Sequence, residues 1–285
     1  MNLDSECVCC IINQSKRVCE HIQADEKLTE TILSEITEMS KSFNFSQNPP
    51  QNATPVYQKM AQLALKHDLY DEVKCNSTQK AKSLLPQLKE KIKYSENPLL
   101  TATKVAVAGN VIDLAAAVTF DLDEELKKIF KSEFSCNDFL ILKQKLKSAK
   151  TLLYLGDNVG EHIFDYLYIE TLQKLYPQLI ITYAVRGEPI INDVTLKEAK
   201  EAGFDSLCHL LDSGVDTPGF QYDRATVHAQ KLFDNADFII SKGMGNYECL
   251  TPYPRKNIAF LLKVKCSVVA SSLNQNIGDI ICKVV

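Results

Sequence analysis

No run of apolar residues in this chain is long enough to cross a membrane, so an integral membrane protein is not expected. The opening Met1-Asn2-Leu3-Asp4 is acidic and no apolar signal segment follows it, so secretion is not expected and the chain is placed in the cytoplasm. Basic charge is not in excess: 32 Lys and Arg stand against 36 Asp and Glu, a net charge of −4, which argues against a nucleic-acid partner. There is no internal repeat and no long low-complexity tract. The Cys7-Val8-Cys9-Cys10 start contains a C-x-x-C spacing, but no second pair accompanies it as a zinc site would require. The ten cysteines are expected to be reduced thiols, with a structural role for Cys7 and Cys10 ahead of metal binding. A disulfide or redox pair between those two stays open. The five histidines lack metal-ligand spacing, and His162 is set apart only by its neighbour Glu161.

What is present is an ordinary globular composition, 45% hydrophobic and 24% charged over 285 residues, with two kinds of patterning. The first half is helical. Apolar residues recur at helical spacing over Glu26–Met39, Pro55–Leu69 and Ser77–Lys93, although Pro86 weakens the last as one continuous helix. Asn48-Pro49-Pro50-Gln51-Asn52 reads as a breaker. Thr101–Val118 is almost wholly apolar and reads as a buried helix. Asn110 and Asp113 interrupt it, and such polar groups either pair locally or line a cleft against the second half.

The second half alternates strands with helices. Thr151–Leu155, Leu179–Val185, Ser206–Leu211, Phe238–Ser241, Ile258–Lys263 and Ser267–Ala270 are the expected strands. Helices are expected over Glu161–Tyr176, Thr195–Ala202 and Asp223–Asp234. This grammar predicts βαβ units and a mainly parallel sheet with helices on its faces. The boundary falls near Ser132–Lys150, giving a helical region over 1–148 and an α/β region over 149–285.

Each expected strand leads into polar residues, and in a parallel sheet those loops converge on one edge. The first strand ends in Gly156-Asp157-Asn158-Val159-Gly160-Glu161. The second is followed by Arg186-Gly187-Glu188-Pro189 and Asn192-Asp193-Val194-Thr195. The fourth leads to Ser241-Lys242-Gly243-Met244-Gly245-Asn246, and the fifth contains Lys263 with Lys265 beyond. Asp157, Asn158 and Asp193 would supply hard oxygens suited to Mg²⁺ or Mn²⁺. Asp157 and Asn158 can share one ion only if the chain has already turned, because neighbours on a regular strand face opposite ways. Arg186 and Lys263 would be cations for a phosphate. A metal, carboxylates and a lysine around a phosphoryl group match metal-assisted phosphoryl transfer. Each motif has a plainer reading as well. Asp-Asn beside Gly is turn chemistry, Asn192–Thr195 can cap a helix, and Gly-Met-Gly can be only a turn.

Taken in order, these motifs resemble the metal-dependent damage-control phosphatases. Ala108–Asp113, Ser213–Gly219 and the cysteine-rich start fit the same pattern, and the likeness covers nearly the whole chain. It looks most like the smaller, stand-alone branch also found in archaea. The resemblance implies a helical N-terminal part on a Rossmann-like three-layer α/β/α sandwich. It implies a divalent ion (Mn²⁺, Co²⁺, Ni²⁺ or Mg²⁺) held by Asp157, Asn158 and Asp193. It implies hydrolysis of small phosphorylated metabolites such as sugar phosphates, with Lys263 neutralising phosphate. Asn110, Asp113, Glu161, Arg186 and Asn192 would line the substrate side. Met244 departs from the family, which usually carries Gln there. Whether Asp157 or a metal-bound water attacks phosphorus is open. The rival readings are an S-adenosylmethionine-dependent carboxyl methyltransferase, for which no glycine-rich cofactor loop follows the first strand, and a non-catalytic metabolite-binding protein.

Overall fold

The computed structural model describes residues 1–109, 130–253, 255 and 257–285. Asn110 and Asp113 lie outside the described residues. Helices α1 (Ser5–His21), α2 (Glu26–Ser40) and α3 (Pro49–Ala64) come first. They close a small core of their own from Ile11, Val18, Ile32, Ile36, Val56 and Met60. Asn48-Pro49-Pro50 was expected to break structure, and instead it starts α3. Asn48 caps the helix through the Gln51 N–H, and the prolines occupy its first positions, where no N–H is needed.

Helices α4 (Asp71–Lys93) and α5 (Pro98–Ala108) follow. Pro86 lies within α4 and does not end it. The ring and Lys82, whose carbonyl loses its partner, are both on the exposed face, where water can replace the missing N–H.

After β1 (Cys136–Asn137) and α6 (Phe139–Ser148) the chain enters the sheet proper. The order of elements is β2 (Thr151–Leu155), α7 (Glu161–Leu175), β3 (Ile180–Val185), α8 (Leu196–Glu201), α9 (Phe204–Leu207) and β4 (His209–Asp212). Then come α10 (Val227–Asn235), β5 (Phe238–Lys242), α11 (Gly243–Leu250), β6 (Ile258–Lys263), α12 (Ser267–Leu273) and β7 (Ile280–Val284). The seven strands form one sheet in the order β1-β7-β6-β5-β2-β3-β4. All neighbours are parallel except β6 and β7.

Two expected strands are corrected. Ser267–Ala270 is the start of α12, because the Cys266 side chain caps the Val269 N–H and commits those residues to a helix. The stretch begun at Ser206 is still helical to Leu207, so β4 starts at His209. The strand that pairs antiparallel with β6 is β7, which follows the Gly278 turn.

Helices cover both faces. Leu152, Tyr154, Ile181, Tyr183 and Ile240 pack with α4, α5 and α7 through Leu84, Val105 and Phe164. On the other face Leu153, Leu155 and Ile239 pack with Phe233 of α10, Tyr247 of α11 and Val269 of α12. This is the three-layer α/β arrangement. Its consequence for function lies in the strand order: β3 and β4 build outward from one side of β2, and β5 returns to the other. The C-terminal ends of β2 and β5 therefore flank a topological switch point, the place where open α/β sheets bind ligands.

Candidate active site

Asp157 follows β2 at that switch point and is buried. Beyond Gly156 the strand has ended, and the chain turns so that Asn158 forms an isolated antiparallel bridge with Asp193. Val159 N–H donates to Asn192 O at 2.8 Å, and Val194 N–H donates to Asp157 O at 2.8 Å. Main-chain bonds thus lock the two loops together and bring Asp157, Asn158 and Asp193 into one place. The turn required for Asp157 and Asn158 to act on one side is present. The Asn158 amide donates to Asp157 Oδ2 at 2.9 Å.

Arg186 is anchored between the acids. Its Nε donates to Asp193 Oδ2 at 2.7 Å, and Nη2 donates to Asn246 Oδ1 at 3.1 Å and lies 3.8 Å from Asp157 Oδ1. The side chain is only 2% exposed, so the guanidinium faces the carboxylates rather than open solvent. Asn246 is the hub behind it. Its amide donates to Gly156 O and Lys242 O, and its oxygen also accepts from Phe220 N–H. Nothing in the sequence singled out Asn246, whose signal was the plain Gly-x-Gly-Asn string opening α11.

One guanidinium does not neutralise this group. Burial, then the charges of Asp193 and Glu161, push the Asp157 carboxyl far above the usual range despite Arg186 and Lys265. Burial also raises Asp193, against the pull of Arg186. Two desolvated carboxylates beside an amide oxygen form a hard-donor set, and a divalent cation would relieve their repulsion. Among the described residues no three His, Cys, Asp or Glu side chains converge as a ligand cluster, so an ion here would rest on two carboxylates and the Asn158 amide.

The remaining expected residues fall as follows. Glu161 opens α7, is 1% exposed, and pairs with the buried Lys242 at 2.6 Å. Asn192 is half-buried in the turn before Asp193 and contributes its main-chain oxygen to Val159. Lys263 ends β6, half-buried, at the same sheet edge. Lys265, two residues on and exposed, also brings a positive charge to bear on Asp157. Its main-chain N–H points at the Met244 sulfur, 3.2 Å away, which ties the lysine to the start of α11. His162 is buried and accepts from Gly160 N–H, and burial lowers its pKa to about 3, so it stays neutral. All ten cysteines are free thiols. A separate cavity of about 440 Å³ lies against Pro189, Ile190 and Ile191, and Asp157, Asn158 and Asp193 are not in its lining.

A family model for the ARMT1-like damage-control phosphatase domain matches residues 3–281. The chain belongs to this family. Damage-control phosphatase PH1575 of Pyrococcus horikoshii is 30% identical over 284 residues, covering 99% of this chain and 98% of the relative. A damage-control phosphatase of Archaeoglobus fulgidus is 32% identical over 292 residues and covers 100% of both chains. The crystal structure of the P. horikoshii protein, described as a DUF89 family protein, superposes with a TM-score of 0.91 over 100% of this chain and 99% of that one. Among the described residues the likeness therefore takes in the helical region as well as the sheet.

Arg186→Met leaves two buried carboxylates without their shared cation, which costs about 3–5 kcal/mol. A fall in melting temperature of roughly 10 °C is expected by calorimetry. A variant that melts within a degree or two of the parent would refute the counter-charge role.

Proposed function

We infer that this protein is a metal-dependent phosphatase that hydrolyses small phosphate monoesters, such as sugar phosphates or damaged phosphometabolites. The observation that carries the reading is the main-chain lock between the β2 and β3 loops, which gathers Asp157, Asn158 and Asp193 at the switch point. These three residues would hold a divalent ion of the Mn²⁺, Co²⁺, Ni²⁺ or Mg²⁺ class. When bound, such an ion supplies Lewis-acid polarisation of a phosphoryl oxygen and stabilises the charge gained by the leaving group.

The chain's own residues do the rest. Arg186 holds Asp193 in one orientation through a charge-assisted bond and keeps Asn246 beside it. Asn246 in turn fixes the Gly156 carbonyl, and so the point at which the chain leaves β2 for Asp157. Lys263 at the end of β6 would neutralise the phosphate, with Lys265 exposed two residues beyond it. Burial of Asp157 and Asp193 removes competing water from the two carboxylates and strengthens every charge interaction between them. The names of the archaeal relatives support the phosphatase assignment.

The test is release of p-nitrophenol from p-nitrophenyl phosphate with Mn²⁺ or Co²⁺, followed by a screen of sugar phosphates. Turnover is expected with metal and loss of it on chelation. Equal turnover with excess chelator would refute the metal-dependent reading, and no turnover of any phosphomonoester would refute the phosphatase reading.

A further inference from the structure

We propose that Lys242 is a positioning residue for this site: its buried ammonium fixes the Glu161 carboxylate at the start of α7, while the turn it opens packs on Asp157, and it thereby sets how tightly the site holds a divalent cation. The proposal rests on the metal-dependent reading above.

Lys242 is the last residue of β5 and its side chain is 0% exposed. Its Nζ donates to Ala106 O at 2.8 Å, Glu161 Oε1 at 2.6 Å and Asp165 Oδ1 at 2.6 Å. An ammonium has three N–H donors, so the set is complete. Glu161 and Asp165 are four residues apart on α7 and share one face, which lets a single cation bridge them. Asp165 is also held by the Tyr154 and Tyr183 hydroxyls at 2.6 and 3.2 Å. The bridge therefore ends on a rigid anchor on one side and on Glu161 on the other.

Lys242 is tied to the site by three routes. Its side chain holds Glu161, whose charge acts on Asp157. Its neighbour Gly243 lies against the Asp157 carboxylate. Its carbonyl accepts from Asn246, which holds Arg186, which holds Asp193. A purely structural pin between sheet and helix at this buried position would be better made by an apolar side chain, because burying an ammonium and two carboxylates carries a desolvation penalty. The pairing of this charge, one residue before the turn that packs on Asp157, with Glu161 gives it a role that packing does not require. Groups just outside a metal's own ligands typically change metal affinity 10–100-fold when removed.

The experiment is calorimetric titration of the full chain with Mn²⁺ for the parent, Lys242→Met, Glu161→Gln, the double variant and Asp157→Ala, with melting curves in chelator to report the fold separately. Lys242→Met and Glu161→Gln are each expected to weaken Mn²⁺ binding about 10–100-fold. The double variant is expected to be no weaker than the worse single, because Lys242 acts through Glu161. If Lys242→Met does not fold, Glu161→Gln decides alone, since it leaves Lys242 on Asp165 and Ala106. Parent-like Mn²⁺ affinity in a folded single variant, or losses that add in the double, would overturn the proposal. If Asp157→Ala abolishes binding while Lys242→Met and Glu161→Gln leave it unchanged, only this proposal fails. If the parent binds no Mn²⁺, the metal-dependent reading fails with it.

Discussion

Asp157→Ala is expected to lower metal-dependent phosphatase activity by roughly 10³-fold or more, with little loss of fold stability. The activity term follows from position. Asp157 stands where β2 ends at the switch point, and it is bonded to Asn158 and lies within charge reach of Arg186, Asp193 and Glu161. Lewis-acid stabilisation of a developing charge is worth several kcal/mol, and each 1.36 kcal/mol is a factor of ten in rate. The stability term follows from burial. A carboxyl held far above its usual range is a group the fold does not favour as an anion, so removing it at neutral pH takes away repulsion along with hydrogen bonds. The sign is fixed: with the folded pKa above the unfolded one, the ionised group costs stability as pH rises, and alanine lifts that cost. Steady-state rates with p-nitrophenyl phosphate and Mn²⁺, alongside melting curves in chelator, check both halves. An Asp157→Ala enzyme with parent-like rates would remove Asp157 from the site. A variant that loses rate only because it unfolds would remove the argument from burial.

The contrast with Arg186→Met is informative because the two residues face each other. Removing the cation should destabilise the fold and removing this anion should not, since the buried carboxylates Asp157, Asp193, Glu161 and Asp165 outnumber the buried cations Arg186 and Lys242. That imbalance is what motivates the proposed cation.

Much of the site was legible because strand ends are loud in a sequence. Thr151–Leu155 is an unbroken apolar run stopped by Gly-Asp-Asn, and β2 has the same bounds in the structure. Ile258–Lys263 was legible for the same reason. What stayed hidden depended on partners far away in the chain. Lys242 looked like a loop lysine after Ser241, yet its acceptors come from α5 and from the first two turns of α7, a separation no local pattern reveals. Asn246 had the same problem, with partners at Gly156, Arg186 and Phe220. Ser267–Ala270 misled because Val268 and Val269 favour a strand, while a single cap from Cys266 starts a helix. Pro86 misled because water can replace the N–H its orphaned carbonyl loses, and the proline sits on an exposed face of the helix. Lys263 and Lys265 share the Lys-x-Lys spacing, so only the end of β6 distinguishes the strand residue from the one at the rim.

Gly243→Ala is expected to cost roughly 10²-fold in kcat and about 1–2 kcal/mol in stability, and the two effects have separate causes. Gly243 has φ +75°, a backbone conformation that L-residues adopt at a cost, and this accounts for the stability term. The rate term is steric. A Cβ at this position would stand 1.9 Å from Asp157 Oδ2 and 2.4 Å from its Cγ, far inside contact distance, so the carboxylate must shift. Asp157 has little room to do so, because Asn158 holds one oxygen and Arg186 stands near the other. A displacement on the order of 1 Å at a reacting centre costs about two orders of magnitude in rate. Gly278 supplies the control. It has φ +98° with nothing within 4 Å of an added Cβ, so Gly278→Ala carries the backbone strain without the clash. It is expected to lower the melting temperature by a few degrees and leave kcat and Mn²⁺ affinity unchanged. If both variants lost rate in proportion to stability, the Gly243 effect would be strain alone. If Gly243→Ala lost rate and metal affinity while Gly278→Ala lost only stability, the close approach of the β5–α11 turn to Asp157 would be established as the reason a side chain is excluded there.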